Sequence, residues 1–596
     1  MNGDTRAMSR RRGLALVLLA GVAGCATQGL RSVAPGATWT VDRTTHLTNL
    51  TVAPGAAVVA APGRSLTMTV NRVETDIRPG SFSGDIVLTP TVAMPIAFND
   101  MGPHYTYDFR AAIYIDNGAY VSDKSVPAAV QAAPGAVTHT GAKNVTLVSH
   151  GDEFNGIMVA GDSHYTIDHP TITLIGNGRN DFAGFGAGIR VSGTANVTIN
   201  DAIVHDRGVV RTSIWVGDHA TATINDADIN NSDGVMPKDY DWSWVHPARS
   251  KDVMMEVPWM LGIRGNDRAT LVVGSGTVTY NNSVIRTEDW GAMSSDDPTG
   301  EIRLTANNCR VETVRSGYGA YSVGDTLDTF RHTSFDVADY GIILAGGSAM
   351  FTDGSVVNSR RIGVMAHDAA SGWLLIDKGS VFNAKEAVIQ LKSASPTITV
   401  DDATLDSGNG VILQSMVDDD PNRGGGPPPG AAAGAPPPPD TYDTPHPNKD
   451  VNASFKDVTL DGDFVNSATR EGALNLRFEN AAITGAITTA TEVHATGPHG
   501  ERLVMQDDPD LYYLIGRETD IYVPTHDAHG VSVALSHSRW IVDKASYLTR
   551  LDIGKGSTVA APKGYRLVMT VNGVTRHPRP GHFAGALTLR PVRERP

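Results

Sequence analysis

The middle of the chain carries short apolar strands that recur at intervals of about two dozen residues. A small residue followed by two or three apolar residues returns six times, at Gly291, Gly319, Gly341, Gly363, Ala387 and Gly410. The successive spacings are 28, 22, 22, 24 and 23 residues. A repeat of this length is too small to bury its own apolar face, so neighbouring units must stack on one another. Apolar and polar positions alternate with period two, and Gly, Asn and Asp mark the corners, so each unit is predicted to be one β coil.

This pattern predicts an all-β protein, a right-handed parallel β-helix whose coils run from 143 to 420. A second strand series at 144–147, 171–174, 196–199 and 221–224 shows the same alternation. The segment 421–447 is rich in Pro and Gly and is predicted to be a disordered loop. Coil-like alternation resumes over 448–537, whereas 93–142 and parts of 490–530 are left unassigned.

The two ends of the chain are related to each other. Trp39, Leu47, Met68, Pro79 and Phe82 have identical counterparts 501 residues later, at Trp540, Leu548, Met569, Pro580 and Phe583. This constant offset predicts duplicated β-modules at 37–92 and 538–594. We expect them to cap the solenoid, because terminal coils expose unpaired strand edges. The alternative is a carbohydrate-binding module present twice. The spacing of Trp, Val and Leu in these modules resembles the distal coils of autotransporter passenger domains.

The first 25 residues have the composition of an export signal. Basic residues at Arg6, Arg10, Arg11 and Arg12 precede an apolar run that is too short to span a bilayer as a mature helix. The run ends in Val-Ala-Gly-Cys25, which resembles the lipobox of bacterial lipoproteins. The resemblance implies lipidation at Cys25, a membrane anchor, a tether over 26–36 and, with Ala26 following, an outer-membrane or cell-surface location. The alternative is an ordinary signal peptide.

The net charge and the cysteine content limit the classes of partner and cofactor that the protein is expected to bind. The net charge is −15 at pH 7, and no basic block follows the leader. This argues against a nucleic-acid partner, whose phosphates require a positive surface. Cys309 is the second of only two cysteines, so the mature chain cannot form an intramolecular disulfide and has no CxxC metal motif. No cofactor is predicted with certainty.

Candidate functional side chains come from the outward positions of the coils. Residues at equal register in a parallel stack lie about 4.8 Å apart. Aligned on the small residue, the coils place five outward side chains in one ladder: Arg190, Trp215, Arg264, Met293 and Tyr321. Asp267 and Asp296 border it where strands turn. An insert at 232–261 lengthens one coil and contributes further aromatic and ionisable side chains: Tyr240, Trp242, Trp244, His246 and Trp259. We expect the insert to wall or cover a groove on the 188–325 coils.

A groove of this composition suits an extended polysaccharide, because aromatic faces stack on sugar rings and Arg forks bind carboxylates or hydroxyls. The architecture resembles the pectin-lyase-like superfamily of polysaccharide lyases and hydrolases, although no sequence motif of that superfamily is present. The predicted substrate-binding residues are Arg190, Trp215, Trp242, Trp244, His246 and Trp259, and the predicted catalytic residues are Arg264, Asp267, Asp296 and Tyr321. In a lyase, Arg190 or Arg264 would neutralise a uronate and Tyr321 or His246 would move the proton. In a hydrolase, two carboxylates would divide the acid and base roles.

Two non-catalytic interpretations stay open. Asp at a coil corner caps turns by accepting backbone hydrogen bonds, and outward Arg–Asp pairs keep a sheet soluble. On that basis the chain would be an adhesin or a cell-envelope scaffold.

His367 beside Asp368 is a weaker candidate for proton transfer. The acidic run Asp418–Asp420 is either a Ca²⁺ site or a solvated loop start.

Overall fold

The computed structural model describes residues 29–98, 105–235, 261–367, 371–420, 450–467, 472–500, 509–524 and 530–594. Several predictions fall outside these ranges. They are the leader with Cys25, the aromatic part of the insert with Trp242, Trp244, His246 and Trp259, the residue Asp368, and the Pro/Gly-rich loop.

The prediction of an all-β parallel β-helix is confirmed. Each coil contributes one strand in turn to three parallel stacks, which we call sheets A, B and C. The strands of sheet A are Tyr105–Asp116, Phe154–Ala160, Ile189–Val191, Thr212–Val216, Arg268–Val272, Gly291–Asn307, Tyr318–Arg331, Tyr340–Ala345, Ile362–Ala366, Ile389–Lys392, Val411–Met416, Asp463–Ser467 and Ile487–His494. Gly291–Asn307 and Tyr318–Arg331 are long enough to continue into sheet B.

The other two sheets complete the coils. The remaining strands of sheet B are Gly141–Lys143, His164–Asp168, Asn196–Asn200, Thr221–Asn225, Thr277–Asn281, Ser348–Thr352, Trp373–Asp377, Thr397–Asp401, Val451–Lys456, Leu474–Glu479, Val531–Ser536 and Ser546–Ile553. Sheet C contains Thr146–Ser149, Thr171–Ile175, Ile203–Gly208, Asp228–Asp233, Val284–Thr287, Arg310–Thr313, Ser334–Val337, Val356–Ser359, Val381–Ala384 and Thr404–Ser407. It continues as a separate four-stranded sheet of Thr459–Asp461, Ala482–Thr484, Arg539–Ile541 and Thr558–Ala560.

The corner between sheets B and C explains the Asn and Asp spacing of the sequence. One residue turns the chain there in each coil, with a positive φ that Asn and Asp tolerate better than most residues. These residues are Asn144, His169, Asp201, Asp226, Asn282, Asn308, His332, Asp353, Lys378, Asp402, Asp457, Asn480 and His537. Just before this corner the Asn side chains of adjacent coils bond to one another, as Asn225 does to Asn200 at 2.8 Å and Asn281 to Asn225 at 2.9 Å. The corner therefore holds the coils in register.

Aliphatic and aromatic side chains fill the interior. Ile189 pairs with Ile214 across adjacent coils of sheet A, and both are fully buried. Further along, Phe330 stacks on Phe351 with ring centroids 4.7 Å apart. The inward positions of three sheets thus form one continuous core.

The terminal modules share one fold. In the first, Thr45 pairs with Leu88 in an antiparallel ladder, and in the second Ser546 pairs with Leu589, each 501 residues on. Both ladders break register at the same place, after Leu47 and after its counterpart. The first module consists of Leu30–Val33, Thr38–Val41, Thr45–Val52, Ala57–Ala60, Arg64–Val70, Val73–Thr75 and Gly80–Val92. Its first strand lies inside the predicted tether, so the module begins earlier than expected. The second module ends with Tyr565–Val571, Val574–Arg576 and Gly581–Arg593.

The modules join the solenoid through opposite sides. The first module is linked through Glu74, near its end, which pairs with Ser149 of sheet C. The second is linked through Trp540, near its beginning, which pairs with Ile483.

The unassigned segment after the first module contains strands Met94–Phe98, Ala119–Tyr120 and Val130–Gln131 and the 3-10 turn Pro127–Ala129. A second 3-10 turn, Pro509–Leu514, precedes strand Glu518–Tyr522. Among the described residues, no helix has the length and apolar character needed to cross a membrane.

Candidate functional site

The predicted outward ladder exists, but two of its five members are wrong. Arg190 pairs with Trp215, as expected, and Tyr321 occupies the same row further along. The intervening members are Leu271 and Ser294. In the coil that contributes Leu271, the strand begins at Arg268, so Arg264 lies before the strand. In the next coil, the strand is shifted by one residue from the predicted alignment, so Met293 turns inward. A shift of one residue moves a side chain to the opposite face of a sheet.

The expectation that Arg190 and Trp215 face solvent is also wrong. Only 7% of Arg190 and 3% of Trp215 is exposed. The loop between sheets C and A covers both, since Arg190 Nε donates to the carbonyl of Ala183 at 3.0 Å and Trp215 Nε1 donates to that of Phe182 at 3.1 Å. The Arg190 guanidinium lies 4.3 Å from the Trp215 ring centre. These contacts give the two side chains a packing role, and the geometry does not support their prediction as sugar-binding residues.

The two predicted catalytic carboxylates are buried in structural contacts. Asp267 Oδ1 accepts hydrogen bonds from the backbone N–H groups of Arg211 and Arg268, both at 2.9 Å. Asp296 forms an ion pair with the buried Arg268, which also reaches Asp181 at 3.0 Å. Such bonds are those expected of carboxylates that cap turns and neutralise a buried cation. The geometry does not support a catalytic role for either carboxylate.

Tyr321 is buried too, but it begins a chain of polar contacts. Its hydroxyl lies 3.3 Å from His367 Nε2, and His367 Nδ1 lies 3.3 Å from Asp420 Oδ2. The other oxygen of Asp420 is 2.6 Å from Lys392 Nζ. His367 therefore associates with Asp420 from a distant part of the chain. The interpretation of Asp418–Asp420 as a solvated loop start is wrong for Asp419 and Asp420, which are buried.

The chain continues from Lys392 to a second histidine. Lys392 Nζ lies 2.8 Å from Asp419 Oδ1, and Asp419 Oδ2 lies 3.7 Å from His494 Nδ1. Burial alone would raise the pKa of Asp419, but Lys392 and His494 outweigh it and hold that pKa well below its ordinary value. Burial opposes protonation of His494, but Asp419 and Glu492 outweigh it and raise its pKa to about 9. Asp419 is therefore an ionised acceptor between two cationic groups.

A two-stranded ribbon covers this end of sheet A. Ile487–His494 pairs antiparallel with Glu518–Tyr522, and we call this pair the covering ribbon. Alternate side chains face opposite sides of a strand. On one side Thr491, Val493, Thr519 and Ile521 are exposed, and on the other side four ionisable side chains are half-buried against the solenoid: Glu492, His494, Glu518 and Asp520.

Hydrogen bonds fix the ribbon to the sheet. Gln414 Nε2 donates to Asp520 Oδ2 at 2.9 Å, and the backbone N–H of Gly516 donates to Asp419 Oδ2 at 2.7 Å. Gln390 Nε2 donates to the carbonyl of Gly516 at 2.7 Å. Gln390 and Gln414 occupy the same outward row as Tyr321, in coils further along the chain. This row provides the floor on which the ribbon lies.

A groove of about 460 Å³ opens between ribbon and sheet, and we call it the ribbon groove. Its walls carry amide, carboxylate, imidazole and guanidinium groups: Glu386, Gln390, Gln414, His494, Arg517 and Glu518. Exposed side chains of Asn409, Thr496 and Thr519 form part of its lining. The ribbon groove thus offers many hydrogen-bonding groups to a ligand that lies along it.

A strip of two adjacent tyrosines, with an arginine at each end, runs beside the groove. Arg264 lies 5.8 Å from the ring centre of Tyr512, whose ring is 5.9 Å from that of Tyr513. Arg517 lies 5.5 Å from the Tyr513 ring and 2.6 Å from Glu386 in the groove wall. Arg264 is about half exposed and is also 3.8 Å from Asp289. Of the predicted catalytic residues, Arg264 is therefore the one on an accessible surface.

Two groups of described residues could hold a metal ion. His367, Asp418 and Asp420 form one, and Glu492, His494 and Glu518 form the other; in each, one ligand atom per residue lies within 4.8 Å of the others. Lys392 already lies against the first group. The Ca²⁺ hypothesis for Asp418–Asp420 stays a prediction. Sequence reasoning missed the second group because 490–530 shows no coil pattern, although alternating ionisable residues at 492, 494, 518 and 520 were a signal for one polar strand face.

No family model matches the chain, and no curated protein sequence matches it. The evidence for function therefore comes from the geometry of the chain itself.

Proposed function

We propose that this protein is a lipid-anchored protein of the bacterial cell envelope that binds and cleaves an extracellular polysaccharide in the ribbon groove. The observation that carries the proposal is the continuity of the strip with the groove. Arg264, Tyr512, Tyr513 and Arg517 present two aromatic rings between two guanidinium groups, and this strip leads to a cleft of polar side chains.

The chemistry of the strip suits a sugar polymer. Tyrosine presents an apolar ring face with a polar tip, and such faces pack on the apolar face of a sugar ring. Guanidinium groups donate paired hydrogen bonds to carboxylates or vicinal hydroxyls. The strip and groove together provide an extended surface, as a chain of several sugars requires. The carboxylates and His494 at the groove floor are the groups that would take part in bond cleavage.

Glycan binding can be tested by titrating the protein with a panel of neutral and uronic-acid oligosaccharides by calorimetry. Tyr513→Ala should weaken binding by about two- to twelvefold, since an aromatic contact contributes about 0.5–1.5 kcal/mol. Arg517→Ala should also weaken it, whereas Arg286→Ala, at an exposed arginine of sheet C paired with Glu312, should not. Binding that is unchanged by the first two variants would remove the strip from the site.

Cleavage is a separate measurement. Chromatography of the digested polymer should show shorter chains, and absorbance of an unsaturated sugar would distinguish a lyase from a hydrolase. Binding without shorter products would assign the chain to the alternative class of adhesins and envelope scaffolds, which the duplicated terminal modules favour.

The envelope location rests on the leader sequence alone. Cys25→Ser should move the protein from the membrane fraction to the soluble fraction after cell lysis, because the lipid of bacterial lipoproteins is attached to the cysteine thiol of the lipobox. A membrane-bound Cys25→Ser variant would exclude lipidation at that residue.

A further inference from the structure

We propose that Glu492, His494 and Glu518 of the covering ribbon form a binding site for a single divalent transition metal ion, of which Zn²⁺ is the best match. This proposal does not rest on glycan binding. It concerns the charge on the inner face of the ribbon and the unsatisfied carboxylate of Glu518.

Carboxylates crowd one face of the ribbon. Glu492 pairs directly with Asp520, and Glu518 pairs directly with His494, so three carboxylates and one imidazole occupy four adjacent positions on one face. Carboxylates opposite each other in an antiparallel pair repel and destabilise it. Asp419 from the solenoid adds a fourth carboxylate at His494. A bound cation would turn this repulsion into attraction.

Glu518 supplies an observation that is independent of the acidic cluster. Both of its carboxylate oxygens are buried, and neither accepts a hydrogen bond from any residue that the structure describes. Its carboxylate neighbours on this face of the ribbon are Asp520 and Glu492. A buried carboxylate without a donor is strongly destabilising unless a cation or a proton satisfies it. Glu518 is thus a polar group aimed into the cluster that needs a partner.

The geometry around His494 is that of a metal ligand. Its Nε2 faces the cluster, 3.5 Å from Glu492 Oε1, while its Nδ1 lies 3.7 Å from Asp419 Oδ2. Metal-bound histidines characteristically direct the other ring nitrogen to a carboxylate, which orients the ring. One ligand atom from each of the three residues lies within 4.8 Å of the others, as three ligands of one ion require.

The donor set selects the type of ion. Imidazole favours Zn²⁺ and other transition metals, whereas Ca²⁺ and Mg²⁺ prefer sites made only of oxygen ligands. One nitrogen and two carboxylate oxygens leave a fourth tetrahedral position open, which is typical of catalytic rather than structural zinc. Both His494 and Glu518 line the ribbon groove, so that open position would face it.

The test is calorimetric titration of the chelator-stripped full chain with Zn²⁺, with Mn²⁺ and Ca²⁺ as separate arms. We expect one Zn²⁺ per chain and weaker binding of Ca²⁺. Glu518→Gln preserves the shape of the side chain and should weaken Zn²⁺ binding by more than about tenfold. Loss of a residue that only hydrogen-bonds a metal ligand already weakens binding by at least about tenfold, and loss of a ligand itself should have a larger effect. Glu492→Gln provides a second variant, and Glu312→Gln, at a surface carboxylate paired with Arg310, is the matched control.

Two results would overturn the proposal. One is the absence of stoichiometric binding of any of the three ions to the folded wild-type chain. The other is Zn²⁺ binding that survives Glu518→Gln but disappears in Asp418→Asn, which would place the ion at the His367 cluster instead. Because no glycan is present in the titration, failure of the metal site and failure of glycan binding are told apart.

Discussion

The buried cation Lys392 offers the sharpest test of how the solenoid and its covering segments are held together. Its ammonium group is fully buried and lies 2.8 Å from Asp419 and 2.6 Å from Asp420. Replacing Lys392 with Met keeps the unbranched shape and removes the charge. Two carboxylates would then be left buried beside each other without their main counter-charge.

The size of the effect follows from burial. Removing one partner of a buried ion pair costs about 3–5 kcal/mol, because the remaining charge stays desolvated. Burial would lower the pKa of Lys392, but Asp419 and Asp420 outweigh it and hold that pKa well above its ordinary value. A raised lysine pKa contributes stability that is complete below the unfolded-state pKa, so the full effect is present at pH 7. The matched control is Lys456→Met on the surface, whose solvent-exposed ion pair with Asp401 should contribute little to stability.

The assay must locate the loss as well as measure it, because long solenoids need not unfold in a single step. Chemical denaturation gives the free energy of unfolding, and hydrogen exchange shows which strands open. We expect faster exchange in Ile389–Lys392 and Val411–Met416, which pair with each other, and in the covering ribbon. Exchange in the distant strand Thr212–Val216 should not change.

Acid provides an internal check on the reasoning. Asp419 has a lowered pKa, so its contribution is present above the unfolded-state value of about 4 and is lost as the pH falls below it. The difference between wild type and Lys392→Met should therefore shrink as the pH falls below about 4. A variant within 1 kcal/mol of wild type at pH 7, or a difference that does not change with pH, would refute the assignment of Lys392 as the counter-charge.

Three further predictions concern other parts of the molecule. Burial raises the pKa of Asp328 to about 8, so the folded state holds a proton that the unfolded state releases near pH 4. The free energy of unfolding should therefore fall as the pH rises from about 4 to about 8. Asp328→Asn should flatten that slope in denaturation experiments at a series of pH values. Gly208→Ala should prevent normal folding, since its Cβ would lie 1.8 Å from the carbonyl oxygen of Gly176, and soluble yield with circular dichroism would show this. Trp540→Ala should cost about 3–5 kcal/mol in chemical denaturation, and the equivalent Trp39→Ala clearly less, because Trp540 is fully buried whereas Trp39 is half-buried. Equal costs would show that the modules have the same energetics despite their different attachment.

The strand repeat and the duplication were readable without coordinates. The spacing between Gly291 and Gly410 led to the parallel β-helix, because period-two alternation and recurring small residues are local properties of the chain. The constant offset of 501 residues led to twin modules that do share one strand register. Even the outward row containing Arg190, Trp215 and Tyr321 was predictable from alignment of the repeats.

Which of those outward residues meet solvent was decided only by the tertiary structure. Local alternation determines which face of a strand a side chain occupies, but it does not show what later packs on that face. Arg190 and Trp215 lie under a loop of their own coil, and Gln390 and Gln414 lie under a ribbon that comes from about a hundred residues further along. The register of a coil with a long insert is likewise a tertiary property. For that reason the sequence pattern placed Arg264 in a strand that in the structure begins only at Arg268. Contacts between residues far apart in the chain created the His494 cluster and the groove, and no local pattern encodes them.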